Sequence, residues 1–376
     1  MIPAAITLLA ALTLAGHPDS ATAQTAPKPQ HHSAGTAVPP WVPADLQPGV
    51  ARALQRAGDN APELQKALSG IDPDFRDSMA YLIGTMPERD AQSLSAQFLL
   101  TNVRLAWKAR REAPWGAAIP EEIFRQYILP FASLNERRDD WRQDFFDRFS
   151  KEAWKFKDPI DAVKWINDHL PDMVKVHFSA DKRKKPDQSP YESMEIGWAS
   201  CTGLSILVVD ACRAVGIPAR IVGCPAWKTV QGNHNWVEVW WDRWYNVGDS
   251  GSDPRGVDWV RERCRTETDP DDWVHAVYAA VWRPTNTKFP LVWAFEIEYV
   301  PAVNVTRFYS AEVTYPFEVP GGGPAQVEVR WGGELIARAT AAAGAKSVVL
   351  PLARGGVFEV TTIKPDGSRQ TATVKP

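Results

Sequence analysis

Cysteine is scarce and unevenly placed. Only four occur in 376 residues, at Cys201, Cys212, Cys224 and Cys264, and none precedes Cys201. A lipid-anchored bacterial lipoprotein needs one near its start, so that class is disfavoured. Charge of one sign is lacking too: 42 Lys and Arg against 45 Asp and Glu leave a formal net charge of -3. No long basic stripe is present, and nothing in the balance invites nucleic acid. The one basic cluster, Asp181-Lys-Arg-Lys-Lys185, runs into Pro186-Asp187-Gln188-Ser189-Pro190 and reads as a solvated loop. Beyond the opening run no stretch is apolar enough for a membrane helix. No repeat of fixed period is found.

What is there begins with MIPAAITLLAALTLAG, an apolar run too short to span a bilayer comfortably. Ala21-Thr22-Ala23 supplies an A-x-A pattern, so residues 1–23 read as an export signal cleaved after Ala23, although no Lys or Arg precedes the run. The expectation is a soluble periplasmic or secreted protein. Residues 24–43 are rich in Pro, Ala and polar residues and read as a linker, with His31-His32 a solvated pair within it. From residue 44 to about 150 the pattern is helical. Asn60-Ala61-Pro62-Glu63 and Pro120-Glu121-Glu122 are starts, and Leu94, Phe98, Leu99, Val103 and Trp107 share one face. Val174–Phe178 alternates like a short strand, with His177 structural. After residue 300 short β runs (AQVEVRW, SVVLPL, VFEVTTI) alternate with Gly-rich turns, as in a small antiparallel β-sandwich. Seventeen tryptophans favour aromatic surfaces without naming a ligand.

The stretch GWASCTGLSILVVDACRAVGIPAR concentrates the chemistry. Leu204, Leu207, Val208, Ala211 and Val215 keep helical spacing, and Ile206 and Val209 make the helix apolar nearly all round, hence buried. Gly216 and Pro218 stop it. Cys201 therefore opens a buried helix, where unpaired N–H groups favour a thiolate and an oxyanion. Small neighbours, Ala199, Ser200 and Gly203, leave room for a substrate backbone. In GNHNWVEVWWDRWYNVGDS, residues 233–241 read as a strand that returns at Trp244 to Val247. That hairpin delivers His234 near one end and Asp249 beside it. Nucleophile, base and orienting acid then follow the logic of a triad. Trp236, Trp240, Trp241 and Trp244 are candidates for a substrate wall or for core. Cys201, Cys212, Cys224 and His234 lack the close C-x2-C pairs of structural zinc, so no metal or other cofactor is assigned. Cys224 and Cys264 are the pair to test for a disulfide, with Cys212 a buried thiol.

SCTGLSILVVDACRAVGIPARIVG, NHNWVEVWWDRWYNV and the acid that follows resemble the transglutaminase-like superfamily over roughly residues 159–252. The resemblance implies an α+β, papain-like core of helices packed on an antiparallel sheet. Its parts would be a helical region over 44–150, the core over 151–300 and a β domain over 301–376. By the same resemblance Cys201 is the nucleophile, His234 the general base and acid, and Asp249 the orienting acid, with Asp253 or Asn246 as alternatives. A second oxyanion donor upstream of the nucleophile is not assigned, with Trp165 and Trp198 as candidates. The implied activity is cleavage of an amide through a Cys thioester, on a protein, peptide or cell-wall peptide, resolved by water. Resolution by an amine, as in cross-linking, and a non-catalytic envelope-binding scaffold are the alternatives.

Overall fold

The structure, a computed structural model, describes residues 37–376 apart from Asp249 and Val257. The expected export signal, its cleavage after Ala23 and His31-His32 lie outside those residues. The described residues form one compact unit. The end of the expected linker is packed: Val42 is buried and Trp41 lies against the core under the Arg76 guanidinium.

Among the described residues eight α-helices come first: α1 (Gln47–Arg56), α2 (Ala61–Gly70), α3 (Arg76–Thr85), α4 (Glu88–Ala91), α5 (Ala96–Glu112), α6 (Glu121–Tyr127), α7 (Arg142–Ala153) and α8 (Pro159–Val174). Then follow β1 (His177–Phe178), α9 (Pro190–Ile196), β2 (Trp198–Ala199) and α10 (Cys201–Ala214). The main sheet takes β3 (Ala219–Cys224), β4 (His234–Trp240) and β5 (Trp244–Val247). After α11 (Trp259–Glu267) it adds β6 (Tyr278–Ala280), β7 (Thr287–Lys288) and β8 (Pro301–Asn304). Its order is β5-β4-β3-β6-β8-β7, antiparallel throughout. Because β8 belongs to this sheet, the core reaches past residue 300. After α12 (Thr306–Ser310) come β9 (Glu312–Glu318), β10 (Ala325–Trp331), β11 (Glu334–Ala341), β12 (Ser347–Ala353), β13 (Phe358–Ile363) and β14 (Arg369–Val374). They make a four-stranded sheet, β11-β10-β13-β14, and a β12-β9 pair, which close on a separate apolar core around Val327, Leu350, Phe358 and Val360.

The main sheet has two differently covered faces. Ile221, Val237 and Val239 pack with α10 and the N-terminal helices in the largest core. Val222, Trp236, Val260, Cys264 and Tyr309 form a smaller core on the opposite side, with α11 and α12. Helix α10 is buried between the sheet and α7 and α8, as its all-round apolar character requires. It ends where Gly216 adopts φ +82° and Ile217 N–H donates to Cys212 O at 2.8 Å. The expected strand at Val174–Phe178 shrinks to His177–Phe178, because α8 continues to Val174 and turns off through Lys175 at φ 55°. That short strand pairs in parallel with Trp198–Ala199, which ends two residues before Cys201.

Candidate active site

Cys201 is the first residue of α10. Ser200 caps the helix by accepting from Gly203 N–H at 3.3 Å, and the first main-chain helical bond is Leu204 N–H to Ser200 O. The Cys201 and Thr202 amides precede that bond, so they have no acceptor within the helix. The small residues beside Cys201 serve packing rather than substrate room. Ala199 and Ser200 are buried, and a Cβ on Gly203 would stand 2.9 Å from the Ala199 Cβ. Glycine is what lets β2 pass so close to the first turn.

His234 begins β4, opposite Cys224 in register. Its imidazole stacks on Trp236 at 5.8 Å between centroids and meets Trp259 at 4.8 Å. The neighbour of each key residue fastens helix to strand. Asn235 Nδ2 donates to Thr202 Oγ1 at 2.8 Å, and Ser205 Oγ donates to Asn235 O at 3.3 Å. Cys201 and His234, each half-buried, open onto one groove of about 780 Å³. Its walls are mainly apolar, with Leu170, Leu204, Val208 and Val247 among them.

Asp249 lies outside the described residues. The residues flanking it, Gly248 and Ser250, line the groove. The segment they belong to is tied to α8: Asn167 Nδ2 donates to Gly248 O at 3.0 Å, and Gly251 N–H to Asp168 Oδ1 at 2.6 Å. Arg255 bridges Asp158 and Asp161 at 2.7 Å each. The two alternatives for the acid are engaged elsewhere. Asp253 is an exposed loop residue that accepts from Arg255 N–H. Asn246 is buried, donating to Asp258 and accepting from Tyr309 Oη at 3.4 Å.

Of the four candidate wall tryptophans, Trp236 lines the groove. Trp240 is wholly buried, Trp241 packs against the main core, and Trp244 lies under Arg220 at 3.6 Å in a different cavity. Trp165 stacks on His169, and Trp198 sits under Lys182; neither lines the groove. The sequence reading missed the support behind Trp236. Its indole N–H donates to Tyr309 Oη at 2.8 Å, and Tyr309 donates to Glu238 Oε1 at 2.6 Å. Burial, then the Glu238 charge, hold Tyr309 far above the usual phenol range, so it stays a donor. Glu238 also takes Arg220 Nε at 2.8 Å.

The remaining thiols differ from Cys201. Cys224 and Cys264 share the small core but are not bonded to each other. Burial pushes Cys212 and Cys224 up to about 12 and raises Cys264 as well. Those three stay protonated and inert, while Cys201 faces the groove. Cys212 and Cys224 line no part of it.

Residues 149–248 match the family model of the transglutaminase-like superfamily, a span that encloses Cys201 and His234 and stops one residue short of Asp249. Among solved structures, one from Cytophaga hutchinsonii provisionally described as a cysteine protease shares 16% identity, with a TM-score of 0.26. The match covers 44% of this chain and 51% of that one, so the chain spans about half the length of that structure. No curated protein matches the sequence. No helix among the described residues is long and apolar enough to cross a membrane. A helix opened by a cysteine, packed on an antiparallel sheet that delivers a histidine, is what residues 149–248 contribute, and they make this chain a carrier of a transglutaminase-like superfamily domain.

Proposed function

We propose that the protein is an exported cysteine enzyme that hydrolyses an amide bond in a protein or peptide through a Cys201 thioester. Cys201 Sγ attacks the carbonyl as its proton passes to the His234 imidazole. The tetrahedral oxyanion would be met by amides at the start of α10. Its collapse expels the amine, which takes the proton from the imidazolium, and leaves the thioester. Water, deprotonated by His234, attacks the thioester; the acid leaves and the thiol is restored. Asp249 is assigned to hold the imidazole in the working tautomer.

The reading is carried by one observation: Cys201 and His234 open onto the same groove, with their chain neighbours hydrogen-bonded to each other through Thr202 and Asn235. Iodoacetamide at mildly acidic pH tests the nucleophile. Selective labelling of Cys201, slowed in His234→Ala, is expected; labelling no faster than a free model thiol refutes an activated site. A peptide amide substrate with excess primary amine tests the second half. Released acid with no amine adduct is expected, and an adduct would turn the assignment to acyl transfer. Export is tested by N-terminal sequencing of the mature protein, which is expected to start after Ala23.

A further inference from the structure

We infer that Arg183 is a specificity-determining residue of this groove and that the peptide bound there carries an Asp or Glu side chain. The inference rests on the peptide-hydrolase reading for its substrate class. The basic cluster expected to be a solvated loop is not uniform. Lys184 reaches Glu195 at 4.0 Å, Lys185 pairs with Glu192 at 3.0 Å, and the Lys182 ammonium sits 3.9 Å over the Trp198 ring. Arg183 is half-buried and lines the groove together with Cys201 and His234. Among the described residues no carboxylate, backbone oxygen or ring engages it, and no acid lines the groove with it.

Its position is built rather than incidental. Ser179 Oγ accepts from Lys182 N–H at 3.1 Å, and the wholly buried Gln188 accepts from Lys184 N–H at 2.8 Å. Gln188 in turn donates to Trp198 O at 3.0 Å. Ser200, the cap of the Cys201 helix, donates its hydroxyl proton to Pro186 O at 2.8 Å. The loop is thus fastened on each side of Arg183, and one fastening point is the residue before the nucleophile. A guanidinium lining a mainly apolar groove, with no partner among the described residues, fits a carboxylate by paired charge-assisted hydrogen bonds. Partial exclusion of water strengthens such a pair over its surface equivalent.

The test is a synthetic hexapeptide library, randomised at each position, incubated with the full chain and read by mass spectrometry. Cys201-dependent cleavage should be enriched for Asp or Glu at one fixed distance from the broken bond. Arg183→Gln should lower kcat/KM for those peptides by about 10- to 100-fold, mostly through KM, and leave neutral peptides unaffected. Arg183→Glu should shift the preference to Lys or Arg. Cleavage without an acidic preference, or with one that survives Arg183→Glu, overturns the inference while leaving the hydrolase reading intact. Absence of any Cys201-dependent cleavage overturns the hydrolase reading, and binding then decides the inference. The same library is passed over immobilised Cys201→Ala protein. Acidic peptides retained there, and released when Arg183→Glu is added, support it; equal retention of acidic and neutral peptides refutes it. Arg183 holds nothing in the fold, so the variants should melt with the parent.

Discussion

The β3–β4 pair is open at one end and sealed at the other. At its His234 end it borders the groove, and the half-buried imidazole rests on the Trp236 and Trp259 rings. Further along, Arg220 and Glu238 face each other in register, wholly buried. Arg220 also takes Glu334 at 2.9 Å, and Tyr127 donates to Glu334 as well. Burial alone would lower Arg220, but the charges of Glu238 and Glu334 hold it raised. The same two strands therefore do opposite jobs. At the sealed end the charged groups have partners, and Glu334 on β11 ties the C-terminal sheets to the core. At the open end Arg183 meets no partner among the described residues, and the first amides of α10 have no helical acceptor.

The contrast is broken most severely at the open end. Cys201→Ala should abolish turnover and groove labelling, and His234→Ala should cost about 10²- to 10⁴-fold in turnover. Urea midpoints of both variants should stay near the parent, because neither side chain anchors the core. Steady-state kinetics beside urea unfolding separate these outcomes; an inactive but also unfolded His234→Ala would make the open end structural.

At the sealed end the expected loss is in stability. Arg220→Met strands Glu238 and Glu334 without that cation and should cost about 3–5 kcal/mol in urea unfolding. Replacing all three by apolar residues of similar volume should recover part of it, since no buried charge of the three is then left unpaired. The Tyr127 and Tyr309 hydroxyls still lose their acceptors. A triple variant as unstable as the single one would mean that the network does more than satisfy its own charges.

Tyr309 joins the two ends, because it accepts from Trp236 and donates to Glu238. Tyr309→Phe removes an acceptor from one and a donor from the other. About 1–3 kcal/mol of stability should go. A smaller fall in turnover should accompany it, because Trp236 supports the His234 ring. Unchanged kinetics in a destabilised variant would confine Tyr309 to the sealed end.

These ends were unequally legible in the sequence. The run from Leu204 to Val215 announced a buried helix, and the alternation in β4 set His234 and Trp236 on one face; the structure has each. AQVEVRW, SVVLPL and VFEVTTI became β10, β12 and β13. What failed depended on partners distant in the chain. Glu238 and Glu334 are far apart in sequence, so nothing local marks them as one network. Asn60 holds the cap position of α2 as its sequence suggests, but its side chain makes no cap bond and spends its amide on Ala91 O and Leu94 O. Arg183 looked like one of several solvated cations because composition does not say which of them meets a carboxylate.

Helix α10 repeats the contrast along its own length and supplies the smallest effect. Cys201 stands at its open end; Asp210 is buried nine positions later, and its two carboxylate oxygens have no hydrogen-bond partner among the described residues. Burial, then the Glu136 charge, raise Asp210 well above the usual carboxylate range against the pull of Arg213 and Arg142. The fold therefore keeps a proton that the unfolded chain releases above about pH 4, so stability falls as pH rises from there toward the folded pKa. Burial lowers Arg142 to about 9 and Arg213 to about 10, so each keeps its charge below that range. Between pH 5 and 8 the difference between wild type and Asp210→Asn isolates this carboxyl. The urea midpoint should drop less steeply with pH in Asp210→Asn, and the variant should match or exceed the parent at the alkaline side. Parallel slopes would mean that Asp210 is ionised in the fold, and that the buried end of α10 is paired as fully as Arg220 and Glu238.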